Sequence, residues 1–178
     1  IKDKTSDWPE ELKSRIEIVE ADEIIECDES PVSAVRHKKN STITVGANIV
    51  KEGRAGAFIS AGSSGAVLAA GQLIVGRLPG VKRPPLASMI PTAKGFSLFL
   101  DLGANVDAKA EWLCQFARMG SIYMEKVQHK ARPSVKLVNL GVEEEKGNAL
   151  TKEANAMLSQ IPEINYEGFI ESRDVIMG

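Results

Sequence analysis

The apolar residues of this chain fall into runs with two different periodicities. Short, nearly continuous runs of Val, Ile, Leu and Phe are typical of buried strands, and longer segments with an apolar face are typical of helices. The predicted strands are residues 15–20, 55–60, 86–90, 96–103, 134–141 and 164–171. The predicted helices are residues 31–39, 42–53, 64–76, 109–127 and 148–160.

Local signals mark the ends of two of these helices. Pro31 suits the first turn of its helix, where its missing N–H costs nothing. Ser41 is a suitable N-cap for the helix over 42–53, and Gly53 is a suitable stop.

Because strands and helices alternate, the pattern predicts an α/β fold whose parallel sheet is covered on both faces. We expect 55–60, 97–101, 135–140 and 165–170 to be its strands, in a single α/β domain over residues 1–178. Ligands bind such sheets at the carboxyl ends of the strands. Three unusual loops follow predicted strands there: SAGSSGA, DLGANVD and NLGVEEEKGN.

Composition narrows the function classes. The chain has 178 residues, 43% of them hydrophobic and 26% charged, and a net charge of −2. This describes a soluble globular chain and argues against a general nucleic-acid binder. Cys27 and Cys114 lie far apart without metal-like spacing, so we expect reduced thiols in the cytoplasm and no metal site. No apolar run in this sequence is long enough to span a membrane, and we expect no signal peptide.

The glycine turn SAGSSGA allows two interpretations. Gly62 and Gly65 suit a sharp turn or a close approach to a ligand, and the first N–H groups of the next helix have no partner within it. The hydroxyls of Ser60, Ser63 and Ser64 add hydrogen-bond donors. The turn is either an anion site or an ordinary strand-to-helix turn with a serine cap.

The other two loops contain acidic and amide side chains. Asp101 and Asp107 flank Asn105, and the simplest interpretation is a turn in which Asp107 caps the next helix. No third ligand completes a metal site there. In the EEEKGN segment the glutamates are typical of a solvated loop, whereas Lys146 lies just ahead of a helix, where it can reach a phosphate or a developing oxyanion.

Several motifs together resemble one family. The segments SAGSSGA, DLGANVDAK, QFARMGSIY, NLGVEEEKGN and IESRD, in this order and spacing, resemble the bacterial PlsX family of acyl-[acyl-carrier-protein]:phosphate acyltransferases. The resemblance runs from about Ile16 to the end. It implies a three-layer α/β/α sandwich with a mostly parallel sheet, similar to isocitrate and isopropylmalate dehydrogenases and phosphotransacetylases, and a homodimer.

The resemblance also implies a reaction. A fatty acyl group passes from acyl carrier protein to inorganic phosphate, and the acyl phosphate serves phospholipid synthesis. No cofactor is implied, and the location is cytoplasmic, with peripheral association at the inner face of the membrane. Lys146 is the implied catalytic residue. The implied phosphate- or acyl-binding residues are Ser60, Gly62, Ser63, Ser64, Gly65, Asp101, Asn105 and Asn148.

This chain departs from the family pattern in two ways. Ser63 and Ser64 stand where the family usually has Asn-Thr, which removes an amide. The family's D-x-M-G-G-D strand and its DGFTGN-like segment, where its catalytic asparagine is expected, would lie before Ile1 and after Gly178. We therefore expect the middle portion of a longer enzyme that lacks both ends.

Two other functions stay open: a phosphotransacylase that acts on coenzyme A thioesters, and a non-catalytic domain that binds phosphate or a carrier protein. For the carrier protein, which is acidic as a family, we expect a basic docking surface. The candidate residues are Lys38, Lys39, Lys82 and Arg83.

Overall fold

The fold was analysed in a computed structural model, which describes residues 5–178. The chain divides into two compact units, the first ending at Val75 and the second spanning Gly76–Gly178. Helices occur in both units, and the strands lie in the second. The described chain is therefore α/β, as the alternating pattern predicts.

The first unit consists of short helices. They are α1 (Glu10–Lys13), α2 (Pro31–His37), α3 (Thr42–Lys51) and α4 (Ser64–Ala70), and α4 continues into a π-helical turn, Gly71–Val75. Its core is built mainly from small aliphatic side chains, on which Phe58 and Ile74 pack. The buried members are Ile25, Ala34, Val35, Ile43, Ala47, Ala66, Ala69 and Ala70. The many alanines let the helix axes approach closely, so a small unit can still exclude water.

The predicted helix ends in this unit are confirmed. Pro31 is the first residue of α2. The Ser41 side chain accepts a hydrogen bond of 3.2 Å from the backbone N–H of Thr44, and it is fully buried. Gly53 follows the end of α3 with φ at 73°, a conformation that glycine adopts without a steric penalty.

Two strand predictions in this unit are wrong. Residues 15–20 and 55–60 are irregular, and the side chain of Ile59 is 94% exposed. An apolar or alternating run becomes a strand only where a neighbouring strand satisfies its backbone. Within residues 5–75 the β-pairing is limited to an isolated bridge between Glu23 and Ser41.

The second unit contains two small sheets. In order its elements are β1 (Ala87–Thr92), β2 (Gly95–Leu100), α5 (Ala110–Lys126), β3 (Ser134–Asn139), α6 (Ala149–Leu158), β4 (Asn165–Glu171) and α7 (Ser172–Met177). β3 and β4 are parallel and are joined through α6, which is the expected βαβ arrangement. The parallel prediction is confirmed for this pair.

The prediction is wrong for residues 97–101, because β1 and β2 form an antiparallel hairpin. Ala87 pairs with Leu100 at one end, and Thr92 pairs with Gly95 at the other. A parallel crossover needs about a dozen residues. The segment between these two strands is too short for one, so the second strand must run back along the first.

Helix α5 and the βαβ unit share a core. Cys114, Leu158, Ile161 and Ile164 are buried there, with Val135, Leu137 and Tyr166 packed against them. This packing fixes the end of β3 at Asn139, directly before the loop that carries Lys146. Within residues 5–178, no helix combines the length and the apolar character needed to cross a membrane.

Candidate functional site

The glycine–serine turn lies at the start of α4, in the first unit. The Ser63 side chain accepts a hydrogen bond of 3.3 Å from the backbone N–H of Ala66, and it is only 8% exposed. Ser60 Oγ accepts one of 3.1 Å from the N–H of Gly62. Both hydroxyls therefore shape the turn. The exposed Ser64 and Gly65 are the first two residues of α4, so their N–H groups have no acceptor within the helix.

Gly65 has a packing role. A Cβ atom built on it would lie 2.8 Å from Cγ of Pro31, the first residue of α2. Any larger residue would push α2 and α4 apart. The glycine is thus explained by helix packing within the first unit, independently of any anion.

In the loop after β2, Asp101 and Asn105 bind each other. Asp101 Oδ1 accepts a hydrogen bond of 2.7 Å from the N–H of Leu86, and Oδ2 accepts one of 2.7 Å from the N–H of Asn105. The Asn105 side-chain amide donates to Asp101 Oδ2 and to the carbonyl of Pro84, each at 3.1 Å. The pair therefore ties the end of β2 to the segment that leads into β1.

The predicted cap of α5 is wrong. Lys109 occupies the N-cap position, and no side chain caps the helix there. Asp107 lies in a turn two residues earlier and is exposed.

Lys146 lies in the loop between β3 and α6, and its side chain is exposed. Its backbone N–H donates to the carbonyl of Glu143 at 3.1 Å, which closes a turn through the glutamates. In the described part of the chain no carboxylate forms an ion pair with its ammonium group. The positive charge is therefore available to an anion from outside the loop.

Asn148 is the N-cap of α6. Its Oδ1 accepts a hydrogen bond of 2.9 Å from the N–H of Thr151, and the Thr151 hydroxyl donates to the Asn148 carbonyl at 3.0 Å. Asn148 is one of the residues predicted to bind phosphate or the acyl group, and its side-chain oxygen is used to start the helix.

Sequence reasoning missed Asn139, the last residue of β3. Its side-chain amide donates to the carbonyls of Gly141 and Lys146. A polar residue that ends an otherwise apolar strand, ahead of a glycine-flanked loop, is the signal that could have indicated it.

Two of the four basic residues predicted to dock a carrier protein have intramolecular partners. Lys38 Nζ forms an ion pair with Glu29 and also donates to the carbonyl of Ile24 at 2.6 Å. The hydrogen bond from Lys38 lowers the pKa of the Glu29 carboxyl. In the second unit, Lys82 pairs in the same way with Glu111, whose pKa it lowers.

The other two basic residues keep their charge exposed. Arg83 lies over the Trp112 ring, with its guanidinium carbon 5.2 Å from the ring centroid. Lys39 is exposed, and none of its side-chain atoms forms an ion pair within residues 5–178.

Cys114 and the acidic residues add neither a nucleophile nor a metal site to the described loops. Burial raises the pKa of the Cys114 thiol, so it stays protonated at neutral pH and is a poor nucleophile. Within the described residues, no three His, Cys, Asp or Glu side chains converge as a metal site.

The candidate residues therefore form three local groups. Ser60, Gly62, Ser63, Ser64 and Gly65 share the turn before α4. Asp101 is bonded to Asn105. Lys146 and Asn148 share the loop after β3, and within the second unit no hydrogen bond or ion pair joins this loop to the Asp101–Asn105 pair.

Comparison with known proteins gives a consistent result. A family described as fatty acid synthesis protein matches residues 2–178. Proteins named phosphate acyltransferase from Bacillus cereus, Oceanobacillus iheyensis and Heliobacterium modesticaldum are 52%, 51% and 50% identical to the chain. These similarities cover 92%, 92% and 93% of this chain, but 50%, 49% and 49% of the relatives. The chain thus spans about half the length of these curated relatives.

Proposed function

We propose an acyl-transfer function on the premise that this chain belongs to the fatty acid synthesis protein family. The protein that contains it transfers a fatty acyl group from acyl carrier protein to inorganic phosphate, giving acyl phosphate for phospholipid synthesis. One observation carries this proposal. Over more than nine-tenths of its length, the chain shares about half of its residues with proteins named phosphate acyltransferase.

The reaction asks little covalent chemistry of the protein. A phosphate oxygen attacks the thioester carbonyl, and the carbonyl oxygen becomes an oxyanion. When this tetrahedral species collapses, the C–S bond breaks, the acyl phosphate forms, and the thiolate of the carrier takes up a proton. Because the nucleophile is a substrate, no side chain needs to be acylated. The protein contributes positioning and charge stabilisation.

Lys146 is the proposed catalytic residue. Its ammonium is exposed and lacks a carboxylate partner within the described residues, whereas Lys38 and Lys82 are paired. An unpaired ammonium can hold the attacking phosphate, stabilise the oxyanion or protonate the leaving thiolate. A neighbouring carboxylate would weaken each role, because it offsets the positive charge and makes the ammonium a weaker acid.

The turn before α4 is the proposed phosphate-binding segment. The N–H groups of Ser64 and Gly65 and the Ser64 hydroxyl are not used by the turn itself. Ser60, Gly62 and Ser63 set its shape, and Gly65 lets α4 start close to α2. In the second unit we assign Asp101, Asn105 and Asn148 to shaping their own loops.

Partners and assembly are proposed for the complete protein. They comprise acyl carrier protein and inorganic phosphate as substrates, a homodimer, a three-layer sandwich with a mostly parallel sheet, and a cytoplasmic location with peripheral membrane association. The α/β character of the described residues supports the sandwich. The exposed charges of Lys39 and Arg83 support docking of an acidic carrier.

The test uses the complete protein encoded by the natural gene. It is incubated with palmitoyl-acyl carrier protein, with and without inorganic phosphate, and free thiol is followed with a thiol reagent while acyl phosphate is trapped by hydroxylamine. We expect phosphate-dependent release of both products, and much slower turnover of palmitoyl-coenzyme A. Faster turnover of the coenzyme A thioester would support a phosphotransacylase instead, and saturable binding without turnover would support a binding domain.

A further inference from the structure

Asn139 lies at the base of the loop that carries Lys146. It ends β3, where its backbone pairs with Glu171 of β4, so the sheet fixes the position of its Cα. Its side-chain Nδ2 donates to the carbonyl of Gly141 at 3.1 Å and to the carbonyl of Lys146 at 3.2 Å. One amide group therefore joins the two ends of the glutamate-rich loop.

We propose that Asn139 is a positioning residue, which holds Lys146 in the geometry required for acyl transfer. The proposal rests on the function proposed above. Tying the Lys146 carbonyl to the end of a strand fixes the backbone from which its side chain departs. The Asn139 side chain is short and has only two torsion angles, so it can hold the Lys146 backbone with a small loss of conformational entropy. The ammonium stays free for a substrate, since both hydrogen bonds of the Asn139 side chain go to backbone carbonyls.

Gly147 gives a second, independent sign of this arrangement. Its φ is 93°, and a Cβ atom built on it would lie 2.3 Å from Asn139 Oδ1 and 2.3 Å from Thr151 Oγ1. The glycine thus leaves the space that the Asn139 amide occupies. Beyond it, Asn148 caps α6. The loop is held on the β3 side by Asn139 and on the α6 side by Asn148.

The opposite wall of the loop is also close. A Cβ atom on Gly141 would lie 2.6 Å from Glu143 Oε2 and 3.1 Å from Lys146 Cγ. The aliphatic stem of Lys146 therefore runs along the Gly141 backbone, whose carbonyl Asn139 binds. The same amide therefore binds the Lys146 carbonyl and the carbonyl of the glycine against which the lysine stem lies.

The test compares Asn139→Ala, Asn139→Asp and the matched control Asn165→Ala in the complete natural protein. Asn165 begins β4, and its side chain donates one hydrogen bond, to the carboxylate of Glu167. Four quantities are measured: kcat, KM for phosphate, the thermal midpoint, and the rate of cleavage after Glu143–Glu145 by a glutamate-specific protease. The double variant Asn139→Ala/Lys146→Ala completes a mutant cycle.

We expect Asn139→Ala to lower kcat by about tenfold or more, because misplacement of a reacting group by about 1 Å can cost up to about a hundredfold. KM for phosphate should change less than kcat, and cleavage of the loop should accelerate while the thermal midpoint moves little. Asn139→Asp should act alike, since a carboxylate cannot donate to two carbonyls. In the Lys146→Ala background, the loss caused by Asn139→Ala should disappear.

Two results would overturn the proposal. One is an Asn139→Ala loss that persists in full in the Lys146→Ala background, because the residue then acts independently of the lysine. The other is unchanged loop cleavage together with unchanged kcat. Failure of the proposed function is distinguishable, because the unmodified protein then shows no phosphate-dependent turnover at all.

Discussion

The second unit offers two polar loops at strand ends, and they use their side chains in opposite ways. After β2, both carboxylate oxygens of Asp101 accept backbone N–H groups, and the Asn105 amide is also bonded. After β3, Asn139 and Asn148 bind the backbone, but Lys146 keeps its charge unpaired within the described residues. A polar residue at the end of a strand is therefore not identified as a ligand-binding residue by its position alone. The useful criterion is whether the fold leaves a donor or a charge unused.

The largest effect is expected from Lys146→Ala. If the unpaired ammonium stabilises the transition state, its removal should lower kcat at least about a hundredfold. The thermal midpoint should stay within the scatter of surface variants, because the side chain is exposed and unpaired. Both quantities are measured on the complete protein. Lys152→Ala, on the exposed side of α6, is the matched control and should retain nearly full activity.

A Lys146→Ala protein that is folded and nearly as active as the unmodified one would contradict the catalytic assignment. The comparison of the two loops would then be wrong in its main point, because an unpaired charge would not indicate a functional residue any better than a hydrogen-bonded side chain does.

Asp101→Ala examines the other loop. The variant deprives the N–H groups of Leu86 and Asn105 of a charged acceptor, which should cost about 1–3 kcal/mol in the free energy of unfolding. The kcat of the folded fraction should change little. Urea denaturation measures the first quantity, and assays well below the transition measure the second. Asp107→Ala should stay within about 0.5 kcal/mol, because that side chain caps nothing. Unchanged stability with a raised KM for phosphate would instead make Asp101 a ligand.

The sequence predicted local structure better than pairing. Helices α2, α3, α5 and α6 were predicted because proline and serine caps and apolar periodicity act over a few residues. The antiparallel pairing of β1 with β2 was missed, although the five residues between the predicted strands 86–90 and 96–103 are too few for a parallel crossover. Residues 55–60 have an apolar run but no strand partner within residues 5–75, and no local pattern records a missing partner.

The candidate site shows the same division. The sequence indicated the candidate residues in the three loops. It could not show that the side-chain oxygens of Asp101, Asn148 and Ser63 accept hydrogen bonds from backbone N–H groups. Nor could it show that Gly65 faces Pro31. These facts depend on which atoms tertiary contacts bring together, and residue type alone leaves them undetermined.

Gly65→Ala and Gly71→Ala extend the comparison to the first unit. At Gly65 the new methyl group would lie 2.8 Å from Pro31, and such overpacking typically costs about 1–3 kcal/mol. At Gly71, which is helical and has nothing within 4 Å of a built Cβ, alanine should stabilise by up to about 1 kcal/mol. Thermal midpoints should therefore move in opposite directions. A Gly65 variant of normal stability that loses its phosphate-induced shift would restore an anion role for the glycine itself.

The smallest effect is expected from charge reversal at the individual residues proposed to dock the carrier. Lys39→Glu and Arg83→Glu are better probes than changes at Lys38 or Lys82, because the latter would also break internal ion pairs. An exposed pair contributes about 0.2–1 kcal/mol, so KM for the acylated carrier should rise about 1.4- to 5-fold at low salt. At high salt the increase should vanish, because mobile ions screen exposed charges.

Lys51→Glu, at the exposed end of α3, is the matched control. An increase in KM that is equal at low and high salt would show that the substitutions act through local structure, and an unchanged KM at every salt concentration would place the carrier on another surface.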